Sequence, residues 1–190
     1  MELKNFKGVA LRLANNWLSE IKPGDAPIKY LEVGTYYGAN LISVEKIYAT
    51  HPDSELHCID PWEDYSDYDE YKGEMPSIYS TFGENIKAAG IEKKVSVHRG
   101  YSHKELVKFS DEYFDMIYID GNHKPEYVLE DCVLAFRKLK PNGYMVIDDF
   151  GWGGDDYTQR GIIAFFQGFR DRIHIHPAIK DTQVFVQKKN

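Results

Sequence analysis

The sequence predicts an α/β fold: a doubly wound, mostly parallel sheet with helices on both faces. Three observations predict it. Five short apolar runs alternate with segments of helical periodicity. The first run ends in a glycine turn, Gly34-Thr35-Tyr36-Tyr37-Gly38, that leads directly into a helical segment. The chain closes on two strand-like runs in succession, a hairpin that puts one antiparallel strand at the sheet edge.

Residues 6–21 carry Val9, Leu11, Leu13, Ala14, Trp17, Leu18 and Ile21 at helical spacing, stopped by Pro23-Gly24. This predicts an N-terminal helix within residues 1–24. Ile28 to Val33 reads as the first strand, and Ala39 to Tyr48 as the helix after the glycine turn. Glu55 to Ile59 is the second strand and ends at Asp60-Pro61. Trp62 to Glu74 has no clear period and reads as a loop, with tyrosines set among acids. Pro76 to Ala89 is a helix closed by Gly90. Val95 to His98 is a short strand, and Ser102 to Phe109 a helix with Ser102 as a cap. Phe114 to Ile119 is the fourth strand. Pro125 to Leu139 is a helix with proline in its first turn, and Pro141-Asn142-Gly143 turns the chain into the fifth strand, Tyr144 to Ile147. Gln159 to Phe169 reads as a helix, and Ile173 to His176 and Gln183 to Gln187 as the closing strands. No linker or repeat interrupts this pattern. The expectation is one domain over residues 1–190, a Rossmann-like seven-stranded sheet with a C-terminal antiparallel hairpin.

The 190 residues carry 43% hydrophobic content and a net charge of −7. That composition suits a globular core. The acidic balance and the lack of a basic run argue against a nucleic-acid partner. Cys58 and Cys132 fall in a predicted strand and on an apolar helix face, as buried thiols of a reducing compartment would. No apolar run reaches membrane-spanning length, and the first residues have no leader-like core. A cytoplasmic protein without a membrane partner is the expectation.

In open α/β sheets, ligands bind beyond the carboxyl ends of the strands. Those ends here carry Glu32 to Gly34, Asp60, Gly100 to Ser102, Asp120 to His123, and Asp148-Asp149. The turn is spaced G-x-x-x-G, unlike the G-x-G-x-x-G of dinucleotide enzymes. Glu32 would repel a nucleotide phosphate beside it, but suits an ammonium or sulfonium group. Asp60 lies roughly 20 residues past the turn, where an acid can accept from both ribose hydroxyls; a plain Asp-Pro strand-end turn is the other reading. A cationic nucleoside therefore fits better than a nicotinamide cofactor.

Leu31-Glu32-Val33-Gly34-Thr35-Tyr36-Tyr37-Gly38 resembles motif I of class I S-adenosyl-L-methionine-dependent methyltransferases. The likeness runs from Ile28 to about Gln187. Within that class the chain is similar to small-molecule O-methyltransferases of the catechol and macrolide-sugar types. The catechol type has a turn E-x-G-x-Y-x-G and a serine after the third strand; Glu32, Gly34, Tyr36, Gly38 and Ser102 match. The resemblance implies Gly34, Tyr36 and Asn40 at the methionine end, Asp60 on the ribose, and Trp62, Ser102 and His103 around the adenine. The N/D-P-P-Y/F motif of nucleic-acid amino-methyltransferases is absent from the sequence.

Asp120, Asp148 and Asp149 end adjacent strands, and three such carboxylates can converge on one hard cation such as Mg²⁺. That cation would hold a substrate hydroxyl and stabilise its alkoxide. Both O-methyltransferase types bind a divalent cation at these strand ends. Asp120 and Asp148 match their ligands, and Asp149 stands where the catechol type has Asn. Asp155 and Asp156 could also approach. The bland reading is that Asp148 caps the next turn and Asp149 is solvated. His123, three residues after Asp120, stands where the macrolide-sugar type has a histidine base. An imidazole suits proton removal from a held hydroxyl, and a surface histidine before a helix is the alternative. The other histidines read as strand or surface residues. Residues 62–82 read as a lid, a packed surface loop or a homodimer contact.

The expected activity is methyl transfer to a small-molecule hydroxyl with metal assistance. Alternatives are a metal-dependent enzyme of the same fold and another reaction, resembling the cephalosporin-hydroxylase-like group, and a nucleoside-binding module that transfers nothing. A pure binder has no need of Asp120, His123, Asp148 and Asp149.

Overall fold

The computed structural model describes residues 14–64, 72–153, 157–180 and 182–190. Most of the expected N-terminal helix lies outside these residues, as do the centre of the 62–82 segment, Asp155 and Asp156. What is described of the N-terminal segment begins with a 3₁₀ turn, Ala14–Trp17.

Seven strands form one sheet: β1 Lys29–Val33, β2 Glu55–Asp60, β3 Val95–Arg99, β4 Phe114–Ile119, β5 Leu139–Ile147, β6 Ile173–Lys180 and β7 Gln183–Lys188. Their spatial order is β3-β2-β1-β4-β5-β7-β6. The first five run parallel, and β7 pairs antiparallel with both β5 and β6. The antiparallel strand thus sits one place in from the edge, which β6 occupies, rather than at the edge as expected. In β7, Val184, Phe185 and Val186 are all buried.

Side-chain alternation along the strands feeds two cores. Tyr30, Leu56, Cys58, Tyr118, Val146 and Phe185 face the 3₁₀ turn, α1 (Ala39–Ile47) and α2 (Met75–Ala89). Leu31, Val33, Ile117, Ile119, Met145, Ile147 and Val186 face α3 (Ser102–Glu105), α4 (Pro125–Lys138) and α5 (Thr158–Phe169). The end signals act as read: Pro lies in the first turn of α2 and α4, and Gly90 takes a left-handed cap after α2.

Two local expectations are corrected. Pro141-Asn142-Gly143 does not precede the fifth strand but lies inside it. β5 starts at Leu139, opposite Phe114, and the register slips between Phe114 and Met116. Asn142 takes φ +62°, so the irregular stretch absorbs a proline that a regular ladder would exclude. Ser102 is the first residue of α3, whose N-cap is Tyr101 without a side-chain cap bond. Among the described residues, no helix is long and apolar enough to cross a membrane.

Candidate active site

The carboxyl edge of the sheet is built by strand ends that extend the ladder past their last residues. Gly34 N–H donates to Ile59 O, Asp120 N–H to Val33 O and Asp148 N–H to Ile119 O, at 2.8–2.9 Å. Gly34, Asp120 and Asp148 therefore stand abreast. Gly34 has φ +81°, and a Cβ there would overlap the Asp120 carbonyl oxygen. Glycine is required on both counts.

Asp60 grips the glycine turn. Its Oδ2 accepts the Thr35 and Tyr36 N–H groups at 2.9 Å, and its Oδ1 accepts Trp62 N–H at 2.7 Å. The Trp62 indole N–H donates to Tyr36 O at 2.9 Å. Tyr36 and Trp62 have φ +52° and +44°, conformations costing on the order of 1–3 kcal/mol each for bulky residues unless over-determined. The Asp60 carboxylate supplies that over-determination. Three of its roughly four lone-pair positions are taken, which leaves room for one further donor rather than the two ribose hydroxyls expected. Trp62 is 1% exposed and packs against Tyr79 and Phe82 of α2, with ring centroids 4.8 and 4.9 Å away. It braces the turn from inside rather than facing an adenine.

Glu32 is 1% exposed. Its Oε2 accepts from the Tyr30 hydroxyl and the Asn40 amide, both at 2.8 Å. Burial pushes its carboxyl up to about 8, against the lowering effect of those two donors. Asn40 Oδ1 and Thr35 Oγ1 are buried without a hydrogen-bond partner. An acceptor oxygen left over beside an acid, at the mouth of a glycine turn, fits a ligand that brings N–H donors or positive charge.

A carboxyl raised in the folded state favours the fold while protonated. That stability is fully present below the unfolded value near 4.5 and is lost as pH rises through about 8. Glu32→Gln should therefore raise the urea midpoint over wild type at pH 8, with the gain fading towards pH 4.5. Parallel denaturation curves at the two pH values check this; equal midpoints at pH 8 would sink it.

The acids divide into two groups. Asp120, His123 and Asp149 place ligand atoms within 4.8 Å of one another, a spacing that can hold a metal ion. His123 Nε2 lies 2.8 Å from Asp149 Oδ2. Asp149 reaches this position with φ +58°, a left-handed conformation that aspartate tolerates. Asp148, expected in the metal set, points inward. Its Oδ1 accepts the Asp149 N–H at 2.7 Å, and its Oδ2 accepts Gln183 Nε2 at 3.0 Å and a short bond from the Tyr118 hydroxyl. Alternation explains the difference: adjacent residues at a strand end leave on opposite sides, so only one of the pair reaches the crevice. The Tyr118 hydroxyl also lies 3.3 Å from Asp120 Oδ2. Burial, and then the Asp120 and Asp148 charges, hold that hydroxyl well above its ordinary range. Gln183 Oε1 in turn accepts the Trp17 indole N–H at 2.7 Å. A buried polar chain thus links the N-terminal turn to the strand-end acids.

Trp152 tilts over His123 with ring centroids 4.5 Å apart and is 38% exposed. Ser102 opens α3 beside Asp131, while His103 is exposed and stacks loosely on Tyr101. Gly38 caps α1 in the left-handed region. A cavity of about 310 Å³ opens near the amino ends of β1, β4 and β5 and borders none of Asp60, Asp120, Asp148 or Asp149. Tyr30, Tyr118, Gln183, Asp131 and Trp152 were not anticipated. Tyr30 and Tyr118 each stand two residues before a strand-end acid, so the strand period alone could have found them.

The family model for a methyltransferase domain matches residues 31–150. The chain belongs to that family. No curated protein matches the sequence of this methyltransferase. Among solved structures, it resembles the O-methyltransferase TomG from Streptomyces achromogenes, involved in tomaymycin synthesis and solved with SAM. That likeness has 20% identity and a TM-score of 0.64, over 85% of this chain and 73% of that one. An O-methyltransferase from Bacillus cereus, solved with SAH, is 16% identical, with a TM-score of 0.63 over 85% of this chain and 74% of its own. A Clostridium thermocellum protein provisionally termed an rRNA methylase is 12% identical, with a TM-score of 0.67 over 100% of this chain and 99% of its own. At such identities the likeness is one of fold, that of the class I S-adenosylmethionine-dependent methyltransferases.

Proposed function

We propose that this methyltransferase moves a methyl group from S-adenosylmethionine to the hydroxyl oxygen of a small molecule, with a divalent cation such as Mg²⁺ at Asp120 and Asp149. The observation that carries the proposal is the convergence of Asp120, His123 and Asp149 beside the glycine turn. The sulfonium donor supplies an electrophilic methyl, and a hard cation supplies positive charge for the developing alkoxide. The chain's own residues do the rest. Glu32 and the leftover Asn40 oxygen receive the ammonium of the methionine end. The glycine turn lets the backbone approach, and Asp60 holds that turn rigid while keeping one lone pair for a ribose hydroxyl. His123 takes the substrate hydroxyl proton as the oxygen forms its bond to the methyl carbon and the methyl–sulfur bond breaks, leaving its electron pair on the sulfur of S-adenosylhomocysteine, and Asp149 stabilises the imidazolium that results. Positioning supplies much of the remaining acceleration.

The net charge of −7 and the absence of a basic run favour a small acceptor over RNA. Isothermal titration with S-adenosylmethionine tests the donor, and no heat at millimolar ligand would sink it. For the metal, activity on a panel of small hydroxyl compounds should vanish in EDTA and return with Mg²⁺. Full turnover in EDTA would remove the cation from the mechanism.

A further inference from the structure

The buried chain that starts at Trp17 has a direction, and its chemistry fixes that direction. An indole N–H can only donate. Trp17 Nε1 lies 2.7 Å from Gln183 Oε1, so the amide nitrogen of Gln183 faces the other way. There it donates to Asp148 Oδ2 at 3.0 Å and to the Tyr118 hydroxyl at 3.4 Å. A flipped amide would set its carbonyl oxygen against the Asp148 carboxylate and leave the indole N–H facing an amide nitrogen. The indole therefore selects the orientation that Asp148 needs. Packing holds the indole itself: Trp17 is fully buried, with ring centroids 6.1 Å from Tyr48 and 5.4 Å from Tyr118.

Asp148 passes the constraint on to the crevice. Gln183 and Tyr118 hold its Oδ2, which turns Oδ1 to the backbone N–H of Asp149 at 2.7 Å. Asp149 is the residue whose φ of +58° brings its carboxylate 2.8 Å from His123 and within ligand distance of Asp120. Such a backbone conformation persists where neighbours over-determine it, and the Asp148 side chain is one of those neighbours. A methionine would fill the volume of Gln183, but would leave a buried carboxylate short of a donor. Neither Trp17 nor Gln183 belongs to the group that could ligate a cation.

We propose that Trp17 and Gln183 are positioning residues for that group: the indole fixes which way the amide faces, and the amide holds Asp148 so that Asp149 stays in the turn that presents its carboxylate. The inference rests on the reading that a divalent cation binds at Asp120 and Asp149.

Mn²⁺ alone is the probe, its free concentration followed by electron paramagnetic resonance with the full chain. Wild type should bind and Asp149→Ala should not. Failure of wild type to bind at millimolar Mn²⁺, or wild-type affinity in Asp149→Ala, would overturn the cation reading and this proposal with it. Given that binding, Gln183→Met should weaken it about tenfold or more, as loss of an outer partner of a metal ligand does. Trp17→Phe keeps a ring in place, removes the N–H, and should weaken binding about three- to tenfold. The double variant should bind like Gln183→Met, because no amide remains to orient. Tyr48→Phe removes a different bond from the same packing, the one from its hydroxyl to Ile21 O at 3.2 Å, and should keep wild-type affinity. If Gln183→Met fails to fold, Trp17→Phe against Tyr48→Phe carries the test. Wild-type Mn²⁺ affinity in folded Gln183→Met or Trp17→Phe would overturn the proposal, as would a further loss in the double variant. So would equal losses in Trp17→Phe and Tyr48→Phe, since the cation would then sense N-terminal packing in general.

Discussion

Asp120→Ala is expected to lower turnover by about 10³-fold or more while leaving the chain folded. The activity loss follows from the proposed role: a cation that stabilises an alkoxide contributes several kcal/mol to the transition state. Retained folding follows from what the side chain does in the protein. Its Oδ2 sits 3.3 Å from the Tyr118 hydroxyl, which already donates to Asp148. The strand-end hydrogen bond from Asp120 to Val33 is made by the backbone. Removing the carboxylate also relieves repulsion among neighbouring acids. His123→Ala provides the comparison, with a loss of about 10²–10⁴-fold for a general base. Its affinity for S-adenosylhomocysteine should be unchanged. Rates on the best acceptor, with and without Mg²⁺, decide the matter. An Asp120→Ala chain retaining a tenth of the wild-type rate would rule out a ligand at that position.

Gly34→Ala should act on the fold itself. The left-handed conformation costs an alanine about 1–2 kcal/mol. The added Cβ would overlap the Asp120 carbonyl, which is backbone and directly follows the paired strand β4. Relief requires β1 and β4 to part at the point where the crevice is formed. The expected loss is at least about 3 kcal/mol, together with loss of cofactor binding. Urea denaturation followed by circular dichroism measures the first, and calorimetry the second. An unchanged midpoint would mean that the turn has more freedom than its packing implies.

The architecture was legible in the sequence because it rests on alternation and on turn residues. Phe114–Ile119 appears as a strand with the bounds its apolar run gives, and Gly90 closes its helix. Local misreadings came where a turn signal met a stronger tertiary demand. Pro141-Asn142-Gly143 reads as a loop, but Leu139 finds Phe114 across the sheet and draws the strand through it. Ser102 reads as a cap, but the helix starts on it, with Tyr101 in extended backbone at the cap position. The site was legible as a set of strand-end acids, and only partly as a geometry. Sequence order placed Asp148 and Asp149 together; the pleat separates them, sending one inward to Tyr118 and Gln183 and the other outward to His123. Asp60 could be located, but not the three backbone N–H groups it accepts, since these depend on the unusual backbone at Tyr36 and Trp62. Nothing in the local pattern could pair Gln183 with Trp17, because 166 positions separate them.

The three tryptophans occupy unequal environments. Trp17 and Trp62 are 0% and 1% exposed, whereas Trp152 is 38% exposed and leans on His123. The protein thus carries an intrinsic optical probe at its reactive end. Long-wavelength emission belongs to the single indole that water reaches, and soluble quenchers will select it. An imidazole that gains a proton or turns towards a cation changes the quenching of that indole. Titrating Mg²⁺ or a hydroxyl compound while watching the red edge of the emission band reports occupancy without turnover. The two buried rings lie out of reach of soluble quenchers, so acceptors can be screened before any product is identified.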